Sequence, residues 1–196
     1  MPLRLPAPPQ QGEGIILEAL SSAVNQPTAT AAAVAEAGPE NLTTAAPHQV
    51  YSVGLRDLAE GRLLAAAQLR GWRYIVLKDE RPLSSAELSG GGEALSFSNF
   101  NHGPFVASTV EGVGRAEALD IVREEDFELR VLEVPALYVV ALWLHGPRDL
   151  IIPLPPTRGQ LEPFAVYEED AVIEFLRAPA GRRLGFDDRP RNRGRR

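Results

Sequence analysis

The chain is 196 residues long, 44% hydrophobic and 23% charged, with a net charge of −6. That is enough to bury a core without covalent staples, and it is not the composition of a disordered chain. Cysteine is absent, which excludes disulfides, thiolate zinc sites, iron–sulfur clusters and a cysteine nucleophile. The longest apolar run, residues 134–144, is too short for a bilayer and contains Pro135. Prolines interrupt the start where a secretory signal needs a continuous apolar stretch, so a soluble, cytoplasmic protein is expected.

Residues 1–12 are proline-rich with almost no apolar anchor and read as a disordered arm. Residues 13–48 read as a helical, alanine-rich segment ending in a linker. Within it, Ile16, Leu17, Leu20 and Val24 recur at helical spacing, and residues 28–37 are rich in alanine, the best helix former. The compact domain is expected over 49–178. It starts with a short strand at 49–53 and a helix over 55–69, in which Arg62 falls in the middle of the apolar arc. Residues 72–78 (WRYIVLK) are β-branched and aromatic. They predict a strand that alternates Trp72, Tyr74 and Val76 against Arg73, Ile75 and Leu77. Two more strands, 83–88 and 94–100, follow across short polar and glycine connections, the signature of an antiparallel meander.

Asn101-His102-Gly103-Pro104 opens the next helix, with Pro104 at the first helical position and Asn101 or His102 as its expected cap. Gly112 and Gly114 in that helix suggest close packing on a sheet. Strands follow at 127–134, 137–144 and 150–153, the second apolar on both faces and therefore central. A last helix over 168–177 should end at Pro179. The expected core includes Ile75 or Leu77, Phe105, Val139 and Leu142. The class is α+β, helices packed on a mainly antiparallel sheet. The pattern also admits two helix-plus-three-strand units, because W72-x-Y-x-V-L returns as F127-x-L-x-V-L at an offset of 55 residues.

Residues 179–196 are expected to be a disordered arginine-rich tail. Seven of its residues from 182 onward are arginines against Asp187 and Asp188, whereas residues 1–181 hold 13 basic and 24 acidic side chains. A basic tail on an acidic body suits nucleic acid or an acidic partner through Arg189, Arg191, Arg193, Arg195 and Arg196. The plainer alternative is a solubilising tail.

Chemistry has few places to sit. His48, His102 and His145 match no local metal motif; no metal site and no cofactor are expected. Gly90-Gly91-Gly92 lacks the lysine and hydroxyl residue of a phosphate loop, and no G-x-S-x-G elbow occurs. Glu124, Glu125, Asp126 and Glu128 lack the ligand spacing of a calcium loop. The densest segment is Asn99-Phe100-Asn101-His102, at a strand-to-helix junction. Asn99, Asn101 and His102 are the candidate ligand-binding residues, and His102 is the candidate catalytic base. The leading expectation is a non-catalytic accessory or protein-binding module acting on another protein and not on a membrane. The alternatives are a small hydrolase or ligand-binding enzyme using Asn101 and His102, and nucleic-acid association through the tail.

Overall fold

The computed structural model describes residues 3–23, 29–90, 94–157 and 161–187. Seven strands form one sheet: β1 (Leu42–Ser52), β2 (Gln68–Lys78), β3 (Arg81–Ser89), β4 (Ser96–Asn101), β5 (Glu128–Val134), β6 (Val139–His145) and β7 (Leu150–Pro153). Their order is β4-β3-β2-β1-β5-β6-β7, so β1 lies at the centre with a three-stranded meander on each side. All pairings are antiparallel except β1 with β5. The fold is α+β, with a mixed, mostly antiparallel sheet.

The central strand is the main departure from the sequence reading. The end of the expected linker, up to Pro47, lies in its first half. The alternation there is broken by a bulge between Ala45 and His48, where Ala46 has φ +47° and Pro47 offers no N–H to the ladder. Residues 55–69 are not one helix either. A short α3 (Leu55–Ala59) ends before Gly61, whose φ of +80° turns the chain, a single 3-10 turn follows, and β2 has begun by Gln68.

Helices cover three quarters of the sheet. On one face α1 (Gly12–Ala23) and α2 (Ala29–Ala37) lie over β2–β4, burying Ile16, Leu20 and Val34 against Trp72, Tyr74 and Leu88. The same face of β5–β7 packs on α3 and α6 (Glu169–Asp187) through Leu58, Val172 and Leu176 against Val134, Trp143 and Ile151. The opposite face of β5–β7 is covered by α4 (Pro104–Glu117) and α5 (Asp120–Glu124), with Ala116 and Val122 on Leu129, Leu142 and Ile152. Leu3 is buried in that last cluster, and Arg4 exchanges backbone hydrogen bonds with Phe127 and Leu129. Leu3 and Arg4, within the expected arm, are therefore docked. Helix α6 runs through Pro179 to Asp187 instead of stopping there. The tail arginines Arg189, Arg191, Arg193, Arg195 and Arg196 lie outside the described residues.

Of the expected core, Ile75, Val139 and Leu142 are buried and Phe105 partly so. The register through β1 pairs Gln49 with both Trp72 and Arg130. Trp72 and Phe127 therefore fall on opposite faces, and the offset of 55 residues does not relate equivalent positions. The remaining quarter, the α4-side face of β1–β4, carries no helix across its centre among the described residues, and there polar side chains replace apolar ones.

Candidate functional site

Strand alternation sends Arg73 and Ile75 of β2 to the open face, and the register places Glu87 and Ser85 of β3 opposite them. Asn101, the last residue of β4, pairs with Ser85. From across β1, Glu133 of β5 reaches the same spot. Arg73 donates from Nε to Glu87 Oε1 at 2.9 Å and from its terminal nitrogen to both Glu87 and Glu133, the latter at 2.6 Å. Its side chain is only 9% exposed. Burial alone works against the guanidinium charge, but the fields of Glu133 and Glu87 outweigh it and hold its pKa above the ordinary arginine value. Asn101 Nδ2 donates to the same Glu87 oxygen at 2.8 Å, and Asn99 Nδ2 donates to Asn101 Oδ1 at 2.9 Å. One hydrogen-bonded chain thus runs Asn99–Asn101–Glu87–Arg73–Glu133.

This network forms the polar end of a cavity of about 460 Å³. Its other walls are Ile75, the first turns of α4 at Phe105, Val106 and Thr109, and Val139 and Val140 of β6. Tyr138 stands at the rim, 61% exposed. It is no core residue, unlike Trp72, Tyr74 and Trp143. The 3-10 turn 135–137 leaves it in the left-handed region at φ +57°, a conformation that costs a residue with a Cβ on the order of 1 kcal/mol. A second cleft of about 300 Å³ adjoins through Glu87 and Glu133, with Arg70 and Ser98 in its walls.

Two of the sequence candidates, Asn101 and His102, line the cavity, and Asn99 joins through its hydrogen bond to Asn101. Their expected capping role is absent. The N-cap of α4 is Gly103, at φ +130°, and no side chain bonds the first turn. Instead His102 Nδ1 donates to the carbonyl of Leu83 at 3.0 Å, tying the junction to the start of β3. Pro104 does occupy the first helical turn. Arg73, Glu87 and Glu133 went unmarked in the sequence, although a signal exists for the first. Arg73 sits in the same strand alternation as Ile75, a charge at an inward position, and such a charge requires partners.

The other histidines lie elsewhere. His48, fully buried in β1, donates from Nδ1 to the carbonyl of Ala46 at 2.7 Å, and its Nε2 has no partner among the described residues. His145 pairs with Asp149 at 2.8 Å, and the same carboxylate oxygen accepts from Trp143 Nε1 at 2.7 Å, so this pair fixes the β6–β7 turn. In the acidic segment, Glu125 accepts from Arg148 at 3.0 Å and Glu128 pairs with Arg130 at 2.9 Å. Among the described residues no three His, Asp or Glu side chains are placed to hold a metal ion, and no helix is long and apolar enough to cross a membrane. Compared with known proteins, the chain matches no family model, no curated protein and no solved structure.

Proposed function

We propose that this protein is a non-catalytic accessory module that recognises its partner or ligand on the open quarter of the sheet, with the cavity at Arg73 as the recognition pocket. The observation that carries this reading is how the polar groups there are already committed. Arg73 is clamped by two carboxylates, Thr109 gives its hydroxyl to the carbonyl of Phe105 at 2.7 Å, and His102 donates to that of Leu83. Such groups are fixed for recognition and are not arranged as a nucleophile with its base. Apolar walls with a few convergent polar groups, at this volume, are the usual character of a ligand pocket.

A small hydrolase using Asn101 and His102 is the second reading, and one observation favours it. The bond from Nδ1 to Leu83 leaves Nε2 of His102 as the ring's proton acceptor, as a general base requires. Nucleic-acid association through the tail draws on charge alone.

The test is an NMR titration of isotope-labelled protein with phenethyl alcohol, phenethylamine and phenylpropionate, alongside turnover of p-nitrophenyl acetate. At least one probe should shift the amide signals of Glu87, Asn101, His102 and Tyr138 while leaving those of α6 in place. His102→Asn should keep that binding, and the ester should be cleaved no faster than by free imidazole. If no probe shifts these signals, the pocket reading fails. Turnover above imidazole that falls on the order of 10²–10⁴-fold in His102→Asn, at unchanged melting temperature, would replace it with the hydrolase.

A further inference from the structure

We infer that the cavity selects an organic monocation: a ligand bringing one protonated nitrogen, ammonium or guanidinium, to Glu87 and Glu133, with an apolar body lying along Ile75 and Val140 toward Tyr138. This rests on the pocket reading above and assigns its ligand class.

The first argument is charge. One guanidinium and two carboxylates meet at the polar end, so the trio carries one net negative charge. Arg70 lines only the adjoining cleft and is not part of this lining. The second argument is unused hydrogen-bonding capacity. Among the described residues, the hydrogen bonds to these carboxylates all end on Oε1: three on Glu87 from Arg73 and Asn101, and one on Glu133 from Arg73. Oε2 of each is left to accept, on side chains 26% and 21% exposed. A carboxylate that is three-quarters withdrawn from water and keeps an open acceptor gains most from a charged donor, which forms shorter and stronger bonds than a neutral one. The amide of Asn101 is held in one orientation, because Oδ1 receives Asn99 and Nδ2 is given to Glu87.

The third argument is the shape of the lining. Ile75, Val106 and Val140 form an apolar wall beside the charged end, matching a ligand whose charge is confined to one end. Tyr138 stands at the mouth, at the end of that wall away from the carboxylates. An anion would meet the net negative charge, and a neutral ligand would leave the carboxylates desolvated without a charge to offset the cost.

The experiment compares dissociation constants of phenethylamine, phenethyl alcohol and phenylpropionate for the full chain, by calorimetry with NMR to locate the site. Phenethylamine should bind at least about tenfold tighter than the alcohol, and phenylpropionate weakest. Glu133→Gln, which keeps the shape, should bring the amine down to the affinity of the alcohol. If the amine and alcohol bind alike in the wild-type cavity, or phenylpropionate binds best, the cation class is wrong although the pocket reading stands. The wild-type series decides this even if the variant fails to fold. A preference for the amine that persists in folded Glu133→Gln overturns the role given to Glu133. Should none of the three probes shift the cavity signals, both inferences fall together. An added arm with acetyl-Gly-Arg-Gly amide separates two sources of the same chemistry. Tighter binding of the peptide than of phenethylamine supports a basic side chain of a partner protein, and the reverse supports a free small amine.

Discussion

His48 is the residue whose surroundings contradict its chemistry most sharply. Its ring is wholly buried in the central strand and its Nε2 is unpartnered among the described residues. Burial first, and the charge of Arg73 second, push its pKa down from 6.5 to about 4, against a smaller opposite pull from the carbonyl of Ala46. The folded protein therefore keeps this ring neutral, while the unfolded chain takes up a proton as pH falls through 6.5. Stability from this group is complete above that value, declines as pH falls toward 4, and is level below it. At about 1.4 kcal/mol per pH unit, the loss across the window is on the order of 3 kcal/mol. Denaturant unfolding of the wild type should show that decline, and His48→Leu, which titrates nothing there, should flatten it. Parallel loss in both proteins would mean the ring is not what titrates. The sequence concealed this residue because Ala46 and Pro47, immediately before it, break the period-two pattern.

At the level of the element, α4 offers a paired test, because its two interior glycines face different surroundings. A Cβ on Gly112 would lie 2.6 Å from Leu154 Cδ2 and 3.2 Å from Leu142 Cδ1, whereas one on Gly114 would meet nothing within 4 Å. Helix propensity favours alanine over glycine by about 1 kcal/mol at either position. At Gly112 overpacking, at roughly 1–3 kcal/mol, outweighs that gain. Gly114→Ala should therefore raise the melting temperature and Gly112→Ala should lower it. Equal shifts would show that α4 does not sit tightly on β6. The sequence reading treated the two glycines alike, since spacing alone does not tell which side of a helix touches a leucine. The start of α4 at Pro104 and the strands β2 to β7 were legible, because their apolar periods are local. The helix expected over 55–69 was not, because its arc of leucines and alanines holds Arg62 and is cut by the left-handed turn at Gly61. The candidate site was legible only in part. Asn101 and His102 stand at a junction that sequence exposes, while Arg73, Glu87 and Glu133 come together only through cross-strand register.

At the scale of the molecule, the strand order is what sequence could not supply. Each meander is a local pattern, but β1 holds them side by side, antiparallel to β2 and parallel to β5. The link is more than backbone. Arg73 of one meander bonds Glu133 of the other across β1, and removing one partner of a largely buried ion pair leaves the other charge uncompensated. The two meanders should therefore unfold as one cooperative unit, although they keep separate apolar clusters. The chain carries its own reporters for this, because its two tryptophans are divided between the halves. Trp72 is buried under α1 and α2, and Trp143 is buried on the α6 side. Trp143→Phe leaves fluorescence to report β2–β4 alone, and Trp72→Phe leaves it to report β5–β7. In urea, each variant's fluorescence transition should coincide with its own circular-dichroism transition, in midpoint and in slope, as a two-state system requires. If fluorescence leads in one variant and trails in the other, the halves melt separately, and neither the central strand nor the Arg73–Glu133 bridge transmits stability between them. The candidate site lies on that boundary, with Glu133 on one side and Glu87 on the other, so the same measurement decides whether the cavity is held open by a rigid sheet or formed by two halves that can part.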